Sequence, residues 1–456
     1  MDVVLLSRIQ FGLNIAFHYI YPPLSIGLAL MIVLIEGIYM KTKKECYREM
    51  ARFWVKIFAL TFALGVATGI VQTFGFGNNW ARYSRYVGDV FGSALAAEGI
   101  FAFFLEAGFI GLMLFGWDRV GPKLHYFATC CVAAGAHFSA VWIIVANSWM
   151  QTPAGYRIAG EGEGAHAVMT DFTAMVFNPS FLDRLTHVLI GAWLTGTFMV
   201  VSVCAYYFLK KRHTDFAYRG IRIGLVMSAL FVVLQLLSAD ATARGVAAYQ
   251  PEKLAAMEGV YETSPRSAMN VIGYPDPEKK RVRGLKIPGL LSFLIYRDFN
   301  TPVTGLDRFP PEDLPNVPAV FQFYHLMIYA WGGMFVATVL GFVLWKRKAF
   351  TKSKWINRYL VISILFPYVA NQAGWFTAEM GRQPWIVYRL LRTPQGISKS
   401  IRENQVIGSI TMFVVIYTVL FILFWFLLNR KIRQGPGEVG MQPEDTVYRD
   451  PYGKRV

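Results

Sequence analysis

The stretch from Asn371 to Trp385 places Glu379 and Arg382 as the first charges after about twenty apolar residues, enough to cross a bilayer. An acid at that depth is costly unless it pairs, binds a cation or metal, or carries protons. The plainer alternative is a helix end at the headgroups, with Pro384 stopping it and Trp375 and Trp385 in an aromatic belt. Other ligand-type side chains also stand in apolar surroundings: His18, Glu98, Glu106, His187, His325 and Met327.

Histidine and methionine on facing helices suit a low-spin haem, whose iron takes six ligands. His187 with Met327 is such a pair, although Met327 is one of 17 methionines and a lone membrane histidine is more often a packed or hydrogen-bonded core residue. His325 is two residues from Met327 and on nearly the opposite helix face, so only one of them can point at a given iron. Both remain candidates. His18 and Glu379 could each hold one further haem with a coordination position open, and Arg8 and Arg382 could pair with haem propionates. Glu98 and Glu106 lie within about 80° of each other around a regular helix and could relay protons along one face. The competing reading for each acid is a structural hydrogen bond to a neighbouring backbone.

The elements that must position these groups follow from composition. Of 456 residues, 55% are hydrophobic and only 16% charged, which points to an all-α, polytopic membrane helix bundle. The formal charge of +16 is crowded at the ends of apolar segments, where topology and anionic lipid explain it better than nucleic acid. Cys46, Cys130, Cys131 and Cys204 show no metal spacing, disulfide framework or CxxCH haem attachment. The N-terminus lacks a basic n-region and a small-residue cleavage site, so the first apolar block is expected to remain as a helix.

About nine spans are expected, at 10–38, 54–76, 94–116, 125–148, 187–209, 220–238, 320–345, 357–378 and 406–429. Basic loops after the first, fifth and seventh put those ends in the cytoplasm, hence the N-terminus outside and the tail inside. The division is then helices one to six in 1–238, an outer loop at 239–319, helices seven to nine in 320–433, and a polar tail at 434–456. Within the loop, Ala247 to Glu258 is expected as one short helix and the remainder as turns. In this frame all the candidate groups except Glu106 fall in the outer half. Ligand-type side chains converging from different helices are how bundles build cofactor sites.

LSRIQFGLNIAFHY around His18, TFGFGNNWARYSRYVGDVFG, LAAEGIFAFFLEAGF around Glu98 and Glu106, VANSWMQTPAG, QPEKLAAMEG and GWFTAEMGRQPW are similar to stretches of subunit I of the cytochrome bd-type quinol oxidases. The resemblance covers nearly the whole chain. It implies a terminal oxidase of the bacterial inner membrane that oxidises membrane quinol and reduces O2 to water, building proton motive force without a pump. It further implies His187 and Met327 as axial ligands of a low-spin haem b. His18 and Glu379 become ligands of a high-spin haem b and a haem d, the latter with haem b as its alternative. Glu98 matches a residue beside the oxygen-reducing haem, Glu106 one on the proton path, and Trp375 the aromatic between haems. Arg382 belongs to the same block, and Lys253 and Glu258 match the quinol-binding region. Implied partners are a related multi-span subunit II and a small single-helix subunit.

Two positions and one loop depart from the pattern. His325 stands where many relatives have Arg, Ala107 where some have Ser, and the outer loop lacks a long insertion. The last places the chain with the short-loop branch, some of whose members are called cyanide-insensitive oxidases. Two rival functions fit parts of the pattern: a transmembrane electron-transfer cytochrome, which needs His pairs bridging both leaflets, and a secondary transporter, which predicts internal repeats that the chain does not convincingly carry.

Overall fold

The structure, a computed structural model, describes residues 2–437, so most of the expected tail at 434–456 lies outside the described residues. In lipid, a backbone must satisfy its own hydrogen bonds, and long apolar segments therefore become helices. The chain begins α1 (Val3–His18), α2 (Tyr21–Thr42), α3 (Glu45–Asn78) and α4 (Ala81–Ala97), continues through a π-helical turn at Glu98–Phe103 into α5 (Phe104–Phe115), and returns as α6 (Pro122–Gln151). A small hairpin, β1 (Tyr156–Ala159) with β2 (His166–Met169), and α7 (Phe172–Val176) lead to α8 (Phe181–Lys210) and α9 (Thr214–Tyr249). Then come α10 (Pro251–Glu258), the antiparallel hairpin β3 (Met269–Asp276) with β4 (Arg281–Ile287), and α11 (Leu290–Tyr296). The last elements are α12 (Val317–Lys346), α13 (Lys354–Ile362), α14 (Leu365–Met380), the hairpin β5 (Trp385–Val387) with β6 (Leu391–Arg392), and α15 (Glu403–Gln434).

Eight helical segments among the described residues are long and apolar enough to span a membrane. The expected eighth, at 357–378, is broken by a turn at Ser363 and Ile364 into α13 and α14, with Pro367 in the first turn of the second piece. A similar break follows His18 inside the first expected span, where Pro22 and Pro23 lack the N–H groups a continuous helix needs. The sixth span runs past its expected end at 238 to Tyr249, because the Asp240 to Arg244 ion pair at 3.0 Å lets the helix continue once apolar residues stop. The short helix expected from Ala247 starts instead at Pro251, and the turns expected after it are largely the β3–β4 hairpin and α11.

The main core is built where α2, α3, α8 and α9 pack, around Trp54, Phe58, Phe198 and Tyr207. Without a hydrophobic driving force in lipid, helices associate through close backbone approach at small residues. Gly27 and Gly196 form such a crossing: a Cβ at Gly27 would sit 2.6 Å from Gly196 N and 2.8 Å from its Cα. Replacing Gly196 by Leu is expected to wedge α2 off α8 and cut the yield of monodisperse solubilised protein about tenfold or more. An unchanged yield and elution profile in size-exclusion chromatography would contradict this packing.

Candidate functional site

The helix breaks and the crossing leave a cavity of about 2410 Å³ whose walls include Arg8, His18, Glu98, Glu106, His187, Lys253, Glu258, Met327, Trp375, Glu379 and Arg382. A single-ligand pocket occupies roughly 300–1,000 Å³, so this one has room for several large groups. His325 does not line it. Its Nδ1 lies 2.8 Å from Phe321 O and its Nε2 2.7 Å from Asn270 O, and its ring stacks on Phe321. The two alternatives on α12 are thereby separated: Met327 faces the cavity and His325 faces the outer loop.

His18 closes α1. Its Nδ1 is 2.9 Å from Thr68 Oγ1, and that hydroxyl donates its own proton to Leu64 O at 2.7 Å. Nδ1–H is then the donor and Nε2 is left with its lone pair, the arrangement by which a second-shell bond orients a ligating histidine. His187, in the second turn of α8, meets Gln235 Nε2 at 3.1 Å and Ser238 Oγ at 3.3 Å, both from α9. Met327 needs Gly374 opposite it, where a Cβ would come within 2.9 Å of the Met327 sulfur.

Glu379 sits in the last turn of α14. It is ion-paired with Arg382, accepts from Asn147 Nδ2 at 2.9 Å and is 3.4 Å from Gln151 Nε2. Gln151 Oε1 accepts in turn from Lys253 Nζ at 2.5 Å, and Gln250 Oε1 from the same amine at 2.8 Å. Burial, reinforced by the nearby Arg184 and Arg382 charges, holds the Lys253 amine well below its ordinary value. At the other end of α10, burial pushes the Glu258 carboxyl up to about 7, against a hydrogen bond from Tyr324. Glu252 of the same helix accepts from Tyr388 OH at 2.6 Å, which fastens α10 to the β5–β6 hairpin.

Glu98 and Glu106 both reach the cavity, but not along one face of a regular helix. The π-helical turn begins at Glu98 and widens the helix between them, a distortion frequent at functional sites. Ser139 Oγ donates to Glu98 at 2.6 Å, and Glu106 packs on Gly135, where a Cβ would fall 2.6 Å from its Cγ.

Thr68, Ser139, Asn147, Gln151 and Arg184 were not singled out from the sequence. Asn147 and Gln151 carried a usable signal, being two polar side chains one turn apart near the end of an apolar span, and Arg184 lies one turn before His187.

The residues present fit haem. Imidazole, thioether and carboxylate donors in an apolar cavity are iron-haem ligand types. Arg382 Nη1 is buried without a hydrogen-bond partner among the described residues, while its side chain borders the cavity, as a propionate-binding guanidinium would.

Residues 6–436 match the family model described as cytochrome bd terminal oxidase subunit I. Cytochrome bd ubiquinol oxidase subunit 1 of Bacillus subtilis is 37% identical over 100% of this chain and 99% of its own length. Cytochrome bd-II ubiquinol oxidase subunit 1 of Escherichia coli is 33% identical, with 98% and 99% covered. The solved bd oxidase of Geobacillus thermodenitrificans superposes with a TM-score of 0.88 at 30% identity, covering 95% of this chain and 99% of that one.

Met327→Leu is expected to remove the low-spin signal from a reduced-minus-oxidised spectrum, and His325→Gln to retain it. The opposite pattern would move the ligand to His325.

Proposed function

The chain belongs to the cytochrome bd terminal oxidase subunit I family, and on that premise we propose that it is the haem-bearing subunit of a respiratory complex that oxidises quinol at its outer face and draws the protons for water from the cytoplasm. It is a quinol:oxygen oxidoreductase and a multi-pass protein of the inner membrane. The observation that carries the reading is the convergence of His18, His187, Met327 and Glu379 on one cavity that also holds two membrane acids.

His187 and Met327 would hold a low-spin haem b, and His18 and Glu379 a high-spin haem b and a haem d, or haem b in the place of haem d. Bound there, the haems supply one-electron transfer and an open iron position for oxygen. Arg8, Arg184 and Arg382 border the cavity and would neutralise propionates. Glu379 is held in place by Arg382 and Asn147 rather than by solvent. Trp375, on the same wall, would shorten the tunnelling distance between redox groups.

At the outer loop, Lys253 and Glu258 would receive the quinol. The Glu258 carboxyl accepts a proton only when ionised. With its titration near 7, quinol oxidation at low substrate should rise as pH climbs through that value and fall below it. Glu258→Gln should flatten this limb and lower kcat/KM about 10²-fold. A variant that kept the wild-type pH profile would remove Glu258 from the proton transfer.

Protons released there leave outside, while those for water pass inward from the cytoplasm through Glu106 and then Glu98, which Ser139 orients. Each such transfer runs against the membrane field, worth roughly 2.3 kcal/mol per charge per 100 mV, so the reaction separates charge and stores energy without a pump. The proposed topology has the N-terminus periplasmic and the C-terminus cytoplasmic. The proposed partners are subunit II and a small single-helix subunit.

The reading is tested in liposomes with the whole complex. Wild type should consume O2 with quinol and build a potential, and Glu106→Gln should lose both by about tenfold or more. Unchanged turnover and potential in that variant would take Glu106 off the proton path.

A further inference from the structure

The β3–β4 hairpin stands at a definable height in the membrane. Lys346 ends α12 and is followed by Arg347 and Lys348. Counting back about 30 Å of hydrocarbon at 1.5 Å per residue brings the outer boundary near Leu326. The β3 strand is strapped to α12 across that level. Tyr329 OH donates to Val271 O at 2.8 Å, His325 Nε2 lies 2.7 Å from Asn270 O, and Gln322 Nε2 donates to Gly273 O at 3.0 Å. The base of the hairpin thus lies at the hydrocarbon boundary, and its turn stands roughly 10 Å higher, in the headgroup layer.

The two faces of the hairpin differ. Val282 packs inward against Gly259, Gly273 and through them Phe321. On the other face Ile272 and Leu285 are paired across the strands and 59% and 63% exposed, with Tyr274 opposite Arg283 above them and Arg281 nearer the turn. The order from base to turn is aliphatic, aromatic, cationic, which is the order of side chains in an interfacial element. Below it the same side of α12 exposes Tyr329, Val336 and Val339, so the apolar strip of the spanning helix continues onto the hairpin. Arg283 shares Asp276 at 2.8 Å but is 56% exposed, and Arg281 is exposed beside Lys279 and Lys280.

We infer that this face of the β3–β4 hairpin is seated in the outer leaflet, its aliphatic base at the acyl boundary and Arg281 and Arg283 on the headgroups of anionic phospholipid. The seat bears on the loop it belongs to, because Asn270 Nδ2 donates to Glu258 O at 2.7 Å and so links the hairpin to the end of α10. That consequence for quinol handling rests on the proposed function. The seating at this end of α12 does not, and only the naming of the leaflet as outer follows the proposed topology.

The test uses the whole complex with its native cysteines replaced and Leu285→Cys carrying an environment-sensitive fluorophore. It is placed in nanodiscs of phosphatidylcholine with or without phosphatidylglycerol. Doxyl-labelled lipids with a shallow nitroxide should quench it more than deep ones or aqueous iodide, and phosphatidylglycerol should strengthen that quenching about threefold. In Arg281→Gln/Arg283→Gln the phosphatidylglycerol effect should vanish. Quenching by iodide alone would put the face in water, and quenching by neither would put it under a protein partner. Either result overturns the inference, as would a phosphatidylglycerol effect of equal size in the double variant. The fluorescence needs no turnover, so a complex inactive toward quinol would still report on the hairpin. For an active one, phosphatidylglycerol should lower the quinol KM about threefold at constant kcat in wild type only. Equal KM in both discs would overturn the coupling to α10.

Discussion

A carboxylate beside an apolar cavity has to be compensated where it stands, and the compensation of Glu379 organises the end of the molecule where α6, α10 and α14 meet. Arg382 takes one oxygen from within the same segment, and α6 reaches the other through Asn147 and Gln151. Gln151 also accepts from Lys253, so α10 of the outer loop is tied through one amide to the same acid. Removing one partner of a buried pair like this costs roughly 3–5 kcal/mol. Segments more than two hundred residues apart are therefore held at one point, and the cavity takes its outer wall from them.

The polar groups at the far end of α2 and α6 are arranged differently. Glu36 accepts from Thr129 at 2.8 Å and meets His125 Nδ1 at 2.6 Å, while His125 Nε2 is 3.2 Å from Met113 O. That cluster is fully buried, its members bonded to one another, and it does not border the cavity. Glu98 and Glu106, by contrast, open onto the cavity. The distinction separates acids that brace helices from acids that border the cavity, and it is drawn by geometry rather than by residue type.

The spanning helices were legible because an apolar run of about twenty residues has one good solution in lipid. Their interruptions were less so. Hydropathy does not register a turn at Ser363, and it ends α9 early because Asp240 and Arg244 look like loop while in fact they pair along the helix. The ligand-type residues stood out as polar groups in apolar surroundings, and all of them except His325 share a cavity. That Met327 faces the cavity and His325 does not depends on the Asn270 carbonyl, 55 residues away in the chain, which no local pattern announces. The π-helical turn at Glu98 and the hairpin with its Pro275 likewise depend on partners from α6 and α12. The amides and hydroxyls that orient His18, Glu98 and Glu379 are ordinary residues whose importance comes only from what they touch.

The proposed function requires this one cavity to carry both low-spin and oxygen-reactive haem. The most direct measurement is a dithionite-reduced minus oxidised absorption spectrum of the purified complex, repeated under carbon monoxide. Low-spin haem b features that carbon monoxide leaves alone, together with a high-spin signal that it shifts, are the predicted result. A wholly low-spin spectrum that carbon monoxide does not change, or no haem at all, would contradict it.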